Sequence, residues 1–341
     1  MKTQDRNTAE ASVTTPVEPG SDELLAMYRT MVLIRRFEDK AEEMYTRARI
    51  GGYFHVNIGE EAAVVGAISS LRASDYLFST YREHGHAIAR GTDPKAVMAE
   101  LFGKETGTSK GRGGSMHIFD PSHHFMGGWG IVGQSIPLAV GAAFAVKYNG
   151  TSDVVMCTFG DGATNIGPFY ESLNLAKLWR LPIVFVCMNN QYGMGTSVAR
   201  ASSITELWRK GASFGIPGEY TDGMDVLQCR DVCQRAVERA RQDHEPTLVE
   251  LNTYRFRGHS VADPGRSYRT EDEMKQWRQR DPITKFHDVL KERGILPEDR
   301  SREIDADVDE VVAACVSFAE QSPEPSVSDL GKYVYVNEEP S

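Results

Sequence analysis

The sequence predicts an α/β fold, a parallel sheet covered by helices on both faces. The first observation is three short apolar runs, "DVVMCTF", "LPIVFVCM" and "TLVELNTYRF". They are continuous rather than alternating, as strands buried on both faces are. The second is the helical pattern between them. Residues 167–178 place Phe169, Leu173 and Ala176 on one face, and another helix is expected over 225–243. The third is the order: strands that alternate with helices form βαβ units and a parallel sheet.

Composition narrows the class. The 341 residues suffice for one large α/β domain or two smaller ones. Apolar content of 40% and charged content of 25% fit an ordinary globular chain. A formal charge of -10 argues against nucleic acid as a partner. No apolar run approaches the length of a membrane-spanning helix, so no membrane association is expected. Cys157 and Cys187 sit in apolar runs and read as buried free thiols. Cys229 and Cys233 share a helical face, but no second ligand pair accompanies them, so metal binding there is the minor reading. This cysteine usage suits a reducing compartment.

The elements follow in order. Residues 1–20 are polar, carry Asp5, Glu10 and Glu18, and lack an apolar signal core. They read as a disordered tail, and the expected location is a bacterial cytoplasm. In the next stretch Leu24, Tyr28, Met31, Ile34, Phe37, Ala41 and Met44 recur at helical spacing behind an acidic first turn, Asp22 and Glu23. Helices are expected at 60–71, 82–91 and 94–102. "GTSKGRGGSMH" and "GGWGIVGQ" are glycine-rich and read as loops. "SIPLAVGAAFAVKY" reads as a helix with small residues on one side. One α/β domain is expected over 21–320. Residues 321–341 form an extension with a β-prone run, "KYVYV", that docks on a partner or trails.

The segment 160–190, "GDGATNIGPFYESLNLAKLWRLPIVFVCMNN", carries the chemistry. It reads as a strand end, a crossover helix and a second strand. Asp161 follows the first strand, and Asn189 and Asn190 follow the second. Parallel strands of one βαβ unit end at the same sheet edge, where open α/β sheets bind ligands. If the strands are close neighbours, Asp161 and Asn190 converge. A carboxylate and a carboxamide are hard oxygen ligands that suit Mg²⁺ or Ca²⁺, and magnesium completes its octahedron with water and phosphate oxygens. Gly160 and Gly162 permit close backbone approach, and the helix that follows favours anions at its N-terminus. A metal-bridged diphosphate is therefore expected. Asp-Gly and Asn-Asn are also common turn chemistry; the paired spacing favours the site over two unrelated turns.

Gly160-Asp161-Gly162, 26 intervening residues, then Asn189-Asn190 resembles the thiamine diphosphate signature. With "NNQYGMGTSVARA", "GRGGSMHIF", "GIVGQSIPLAVGAA" and "YRFRGHSVADPGRSYRT", the chain over 24–283 resembles the alpha subunits of the decarboxylating component of pyruvate dehydrogenase, within the heterotetrameric 2-oxo acid dehydrogenases. The resemblance implies the diphosphate-binding half of a three-layer, parallel-sheet thiamine diphosphate-binding fold. It implies that Asp161 and Asn190 ligate Mg²⁺ through side chains and Tyr192 through its backbone carbonyl. Gly162 and Ala163 would meet the diphosphate through backbone N–H groups, and Tyr81 and Arg82 would hold it, the planar guanidinium matching phosphate oxygens. Gly130 and Val132 would contact the aminopyrimidine, with Val132 as the apolar wedge under the bent cofactor. His55 would line the cofactor channel. His259 and His117 would be the catalytic histidines. The first would touch the diphosphate and position the substrate and lipoyl group, and the second would supply a proton or stabilise charge. His84 reads instead as a satisfied helix histidine. Ser197, Ser260 and Ser267 match positions phosphorylated in mitochondrial relatives.

The activity implied is oxidative decarboxylation of pyruvate, a small 2-oxo acid, with reductive acetylation of a lipoyl group on a dihydrolipoyl acyltransferase. Only the metal–diphosphate half-site is legible in this chain. In the family the glutamate that activates the aminopyrimidine belongs to a beta subunit, so an α₂β₂ heterotetramer is expected. Alpha subunits of acetoin dehydrogenase and of branched-chain 2-oxo acid dehydrogenases share the chemistry, although "RGHSVADP" looks less like the last group. A non-catalytic nucleotide-binding module would use the same sheet, but neither a clear G-x-G-x-x-G fingerprint nor a Walker loop is present.

Overall fold

The computed structural model describes residues 18–334. The tail reading for residues 1–17 and the last two residues of "KYVYV" lie outside the described residues. The chain opens with α1 (Ser21–Thr46), α2 (Glu61–Ser69), β1 (Tyr76–Thr80), α3 (His84–Arg90) and α4 (Pro94–Leu101). β2 (Phe125–Trp129), α5 (Ser135–Asn149), β3 (Val155–Gly160), α6 (Gly167–Leu178) and β4 (Ile183–Asn189) follow. A small hairpin of β5 (Tyr192–Gly193) and β6 (Thr196–Ser197) leads through α7 (Val198–Ala201) to β7 (Gly218–Asp222), α8 (Val226–Asp243) and β8 (Thr247–Asn252). Helices α9 (Glu271–Arg278), α10 (Pro282–Glu292) and α11 (Glu298–Gln321) complete the described chain.

The main sheet has six strands in the order β2-β1-β3-β4-β8-β7, every neighbouring pair parallel. Its central strands feed two cores by strict alternation. Val184, Val186 and Met188 of β4 face one core with Val249 and Leu251 of β8. Ile183, Phe185 and Cys187 face the other, with Val155, Cys157 and Phe159 of β3. Helices α1, α2 and α8 close the first core, and α5 and α6 close the second. Both faces are dry, so these strands have no polar alternation to display. On α6 the apolar face is Phe169, Leu173 and Ala176, all fully buried. Each of the two large side chains contributes about 1.5–3 kcal/mol by leaving water.

Three strands of the sheet escape the sequence pattern. β1 is only five residues long. β7 is an edge strand of half-exposed polar residues, "GEYTD". β2 corrects the loop reading of "GGWGIVGQ", because Gly127, Gly128 and Trp129 belong to a strand. Its glycines have no side chain because there is no room for one. A Cβ on Gly127 would lie 2.2 Å from the Phe119 ring, and one on Gly128 would lie 2.0 Å from the Glu83 carboxyl. An edge strand built that way shows no apolar period.

The C-terminal segment packs on its own chain. Glu105 N–H donates to the Pro323 carbonyl at 3.1 Å, Arg112 donates to the Asp329 carbonyl at 2.8 Å, and Lys110 lies over the Tyr333 ring. The described residues of "KYVYV" form a turn.

Candidate active site

The sheet topology builds the site. β1, β3, β4 and β8 are adjacent and parallel, so they deliver Thr80, Gly160, Asn189 and Asn252 to one edge. Gly160 pairs with Met188, which brings Asp161 level with Asn189 and within one residue of Asn190 just beyond the ladder. A cavity of about 250 Å³ opens there. Its lining includes Tyr81, Arg82, Val132, Asp161, Gly162, Ala163, Asn190, Tyr192 and His259. Residues as far apart in sequence as Tyr81 and His259 thus line one cavity.

The two asparagines divide the work. Asn189 is structural: its Nδ2 donates to Glu250 Oε1 at 2.6 Å, and its Oδ1 accepts from Gln191 N–H at 3.1 Å. Asn190 faces the cavity. Its Nδ2 donates to Glu60 Oε1 at 2.9 Å, while its Oδ1 is buried without a hydrogen-bond partner. A buried amide oxygen left unmatched costs about 1–3 kcal/mol. Asp161 is likewise buried, and loss of solvation raises its carboxyl from 3.8 to about 6 despite the nearby Arg255. Both groups are buried oxygen acceptors, of a chemistry that could hold a hard cation.

The backbone around them is close. Asp161–Asn165 forms a 3₁₀ turn, so a turn rather than the start of α6 follows β3. Its leading N–H groups have no acceptor within the turn. A Cβ on Gly162 would lie 3.6 Å from Gly193 Cα, and one on Gly193 would lie 3.8 Å from Asp161 Oδ2. Gln191 takes the left-handed conformation, φ 76°, and swings Tyr192 and Gly193 against Asp161. The Tyr192 hydroxyl is engaged elsewhere, donating to Glu273 Oε1 at 2.9 Å.

The opposite wall is cationic. Arg82 is buried, donating from Nη1 to the Val56 carbonyl at 2.7 Å and from Nη2 to the His259 carbonyl at 2.6 Å. Its fork thus braces two backbone segments while its charge faces the cavity. Arg255 is buried too, with Nη2 on the Met194 carbonyl at 3.0 Å and Nη1 on His259 Nδ1 at 2.9 Å. Burial, then Arg82 and Arg255, drive the His259 ring down to about 3. Burial and Arg82 drive His55 to about 2. His55 does not border the cavity; it stands behind Tyr81 and His259, its ring centre 4.5 Å and 5.1 Å from theirs.

Gly130, Val132 and His117 form a neighbouring group. His117 Nδ1 donates to the Gly128 carbonyl at 3.1 Å, because a carbonyl only accepts; the ring's other nitrogen, Nε2, is left for the neighbouring group. A Cβ on Gly130 would sit 3.2 Å from that nitrogen. Val132 is 46% exposed, with Ile131 beside it at 71%. His84 is satisfied as read, between Glu38 and Ser115.

Sequence reasoning misses Glu60, Arg255, Asn57 and His86, all of which border the cavity. Arg255 stands four residues before His259 in "RFRGH", outside any helix, where that spacing carries no signal of contact. Glu60 stands 130 positions from the asparagine it holds and carries no local signal.

Over residues 29–328 the chain matches the model of the family described as "Dehydrogenase E1 component". It is 47% identical over 317 residues to the "Pyruvate dehydrogenase E1 component subunit alpha" of Rhizobium meliloti, covering 93% of this chain and 91% of that protein. The protein of the same name from Porphyra purpurea is 47% identical over 92% of this chain and 93% of its own length. That from Rickettsia bellii is 43% identical over 94% and 98%.

Proposed function

The chain belongs to the dehydrogenase E1 component family, and from that membership we propose that it is the alpha subunit of a pyruvate dehydrogenase, decarboxylating pyruvate and acetylating a lipoyl group together with a beta subunit. The observation that carries the reading is the pair Asp161 and Asn190, buried acceptors that line one cavity at the sheet edge together with two buried arginines. The names of the relatives favour pyruvate over acetoin and branched-chain 2-oxo acids.

The donor set fits Mg²⁺ and thiamine diphosphate. Among the described residues no three His, Cys, Asp or Glu side chains gather as a metal site of their own. Asp161, Asn190 Oδ1 and the Tyr192 carbonyl are hard ligands that need phosphate oxygens and water to fill an octahedron. Gly162 and Ala163 would receive the diphosphate on their N–H groups, and Arg82 and Tyr81 would flank it. Bound thiamine diphosphate supplies the carbanion chemistry. This chain's residues orient and balance charge around it. Val132 would offer an apolar surface to the aminopyrimidine, beside Gly130. His259 is held neutral with its N–H at Nε2, a donor toward the cavity. His117 keeps a proton on the Gly128 carbonyl at Nδ1, so any proton exchange would run through Nε2.

A partner is favoured by the surface as well as by kinship. Leu138, Phe144 and Tyr148 of α5 stand exposed beside Leu178 and Trp179, with the Phe144 and Trp179 rings 5.4 Å apart. An apolar patch of this kind marks an association surface. We assign it to the beta subunit of an α₂β₂ enzyme, which would also bring the activating glutamate. The acetyl acceptor is a lipoyl-bearing acyltransferase, and the site of action is the bacterial cytoplasm. No described helix is long and apolar enough to cross a membrane.

The test is co-purification with the beta subunit, followed by assays with pyruvate, acetoin and 2-oxoisovalerate. Turnover of pyruvate that depends on thiamine diphosphate, Mg²⁺ and both subunits is expected. Acetoin turnover without pyruvate turnover would sink the assignment. Tight binding of ATP or NAD by the chain alone would favour a nucleotide-binding module instead.

A further inference from the structure

We infer that Glu60 is the positioning residue of the metal site: it decides which atom of Asn190 faces the cation, and it is itself held by a buried run of hydrogen bonds that ends next to His117. The inference rests on the proposed metal–diphosphate reading.

A carboxamide is nearly symmetric in shape but opposite in polarity at its two ends. An Asn190 side chain turned by half a revolution would aim an NH₂ group at the cation. Glu60 forbids that orientation. It is 2% exposed, and its Oε1 lies 2.9 Å from Asn190 Nδ2. A carboxylate only accepts, so the amide nitrogen must face Glu60 and Oδ1 must face away. Oδ1 is the buried atom that has no partner among the described residues. The second Glu60 oxygen accepts from Asn57 Nδ2 at 3.1 Å and lies 3.7 Å from Arg82 Nε. Glu60 is thereby fixed from two further sides.

The run continues inward. Asn57 N–H donates to Glu38 Oε1 at 3.0 Å, and Glu38 Oε2 meets His84 Nδ1 at 2.9 Å. His84 Nε2 lies 2.9 Å from the Ser115 hydroxyl and 3.1 Å from the Ser115 carbonyl, two residues before His117. Ser115, His84, Glu38, Asn57, Glu60 and Asn190 are all buried. Asn57 donates in both directions, through its backbone N–H and its Nδ2, so no proton passes along the run. Its role is geometric. Partners that orient first ligands without touching the metal set its affinity.

Two substitutions test the orientation. Glu60→Gln sets against Asn190 an amide that can donate as well as accept, so the Asn190 carboxamide is no longer held to one orientation. Glu60→Asp keeps the charge but withdraws the acceptor by one methylene. Mn²⁺ serves as probe, titrated by electron paramagnetic resonance into the full chain with its beta subunit and saturating thiamine diphosphate. Mn²⁺ affinity should fall about 10–100-fold in both variants. Wild-type affinity in either folded variant overturns the inference. If Glu60→Asp fails to fold, Glu60→Gln alone decides by the same criterion. Wild-type protein without a saturable Mn²⁺ site would overturn the metal reading itself, a separate outcome.

Discussion

Arg255 donates to Nδ1 of His259 across 2.9 Å, and both side chains are buried. Arginine keeps its proton, even with burial lowering it to about 10. The histidine must therefore accept at Nδ1, and its neutral ring carries its proton at Nε2. One contact thus sets the tautomer, and with burial and Arg82 it suppresses protonation.

Replacing this arginine should release the histidine. In Arg255→Met the nearest cation is gone, so the His259 pKa should climb from about 3 toward its ordinary 6.5, with burial still holding it lower. Titration of the ring by NMR, with histidine labelled, reads the shift directly. An unmoved titration would show that burial and Arg82 suffice.

Asp161 has the opposite linkage. Its folded pKa, about 6, lies above its ordinary 3.8. The associated stability is fully present below 3.8 and is lost as pH rises through 6. Near pH 7.5 the ionised carboxylate therefore costs the ligand-free protein on the order of 2–3 kcal/mol. Asp161→Asn should recover most of that in urea unfolding at pH 7.5 and should lose Mg²⁺-dependent thiamine diphosphate binding by calorimetry. A variant less stable than wild type would refute the charge argument.

Three buried histidines make the fold acid-sensitive. His55 is driven to about 2, and His86 and His259 to about 3, chiefly by burial. Their folded pKa values lie below the unfolded 6.5, so their stability is present above pH 6.5 and fades as pH falls through that value. Each adds a slope of about 1.4 kcal/mol per pH unit below 6.5. His86 is the cleanest probe, since burial dominates its shift. His86→Leu should lower the proton uptake on unfolding at pH 5 by about one, measured from the pH dependence of urea midpoints.

Gly258 is a position where size alone decides. A Cβ there would lie 1.7 Å from the Asp263 carbonyl oxygen. Asp263 in turn holds His259 N–H at 2.7 Å and the Tyr268 hydroxyl at 2.5 Å. Gly258→Ala should push the loop off its anchor and cost about a hundredfold in kcat/KM through misplacement of His259. The melting temperature, set by the two cores, should move little. Wild-type kcat/KM would show that the loop accommodates the methyl group.

The C-terminal segment should protect the loop it covers. Its contacts with Glu105, Lys110 and Arg112 sit beside the glycines that lead to His117. Truncation after Ser322 should speed tryptic cleavage at Lys110 and Arg112 several-fold, followed by gel and mass spectrometry. Unchanged cleavage would assign the protection to Glu100, whose carboxylate accepts from Gly111 and Gly113 N–H groups at 2.9 and 2.7 Å.

The sequence by itself determined the α/β class, the three central strands and the convergence of Asp161 with Asn190. Those features are local. A dry strand must be continuously apolar, a crossover helix must show its period, and residues that end adjacent parallel strands must meet. The segment 160–190 contains all of that within one βαβ unit. It also made Asn189 and Asn190 look alike. Only the tertiary structure decided that the first is bound to Glu250 and the second presents a free oxygen. It alone revealed the glycine-bearing edge strand β2, the placement of His55 behind the cavity, and Arg255 as the partner of His259. Glu60 was silent for the same reason. It acts across 130 positions of chain through one hydrogen bond, and such a contact leaves no period, run or spacing from which it could be read.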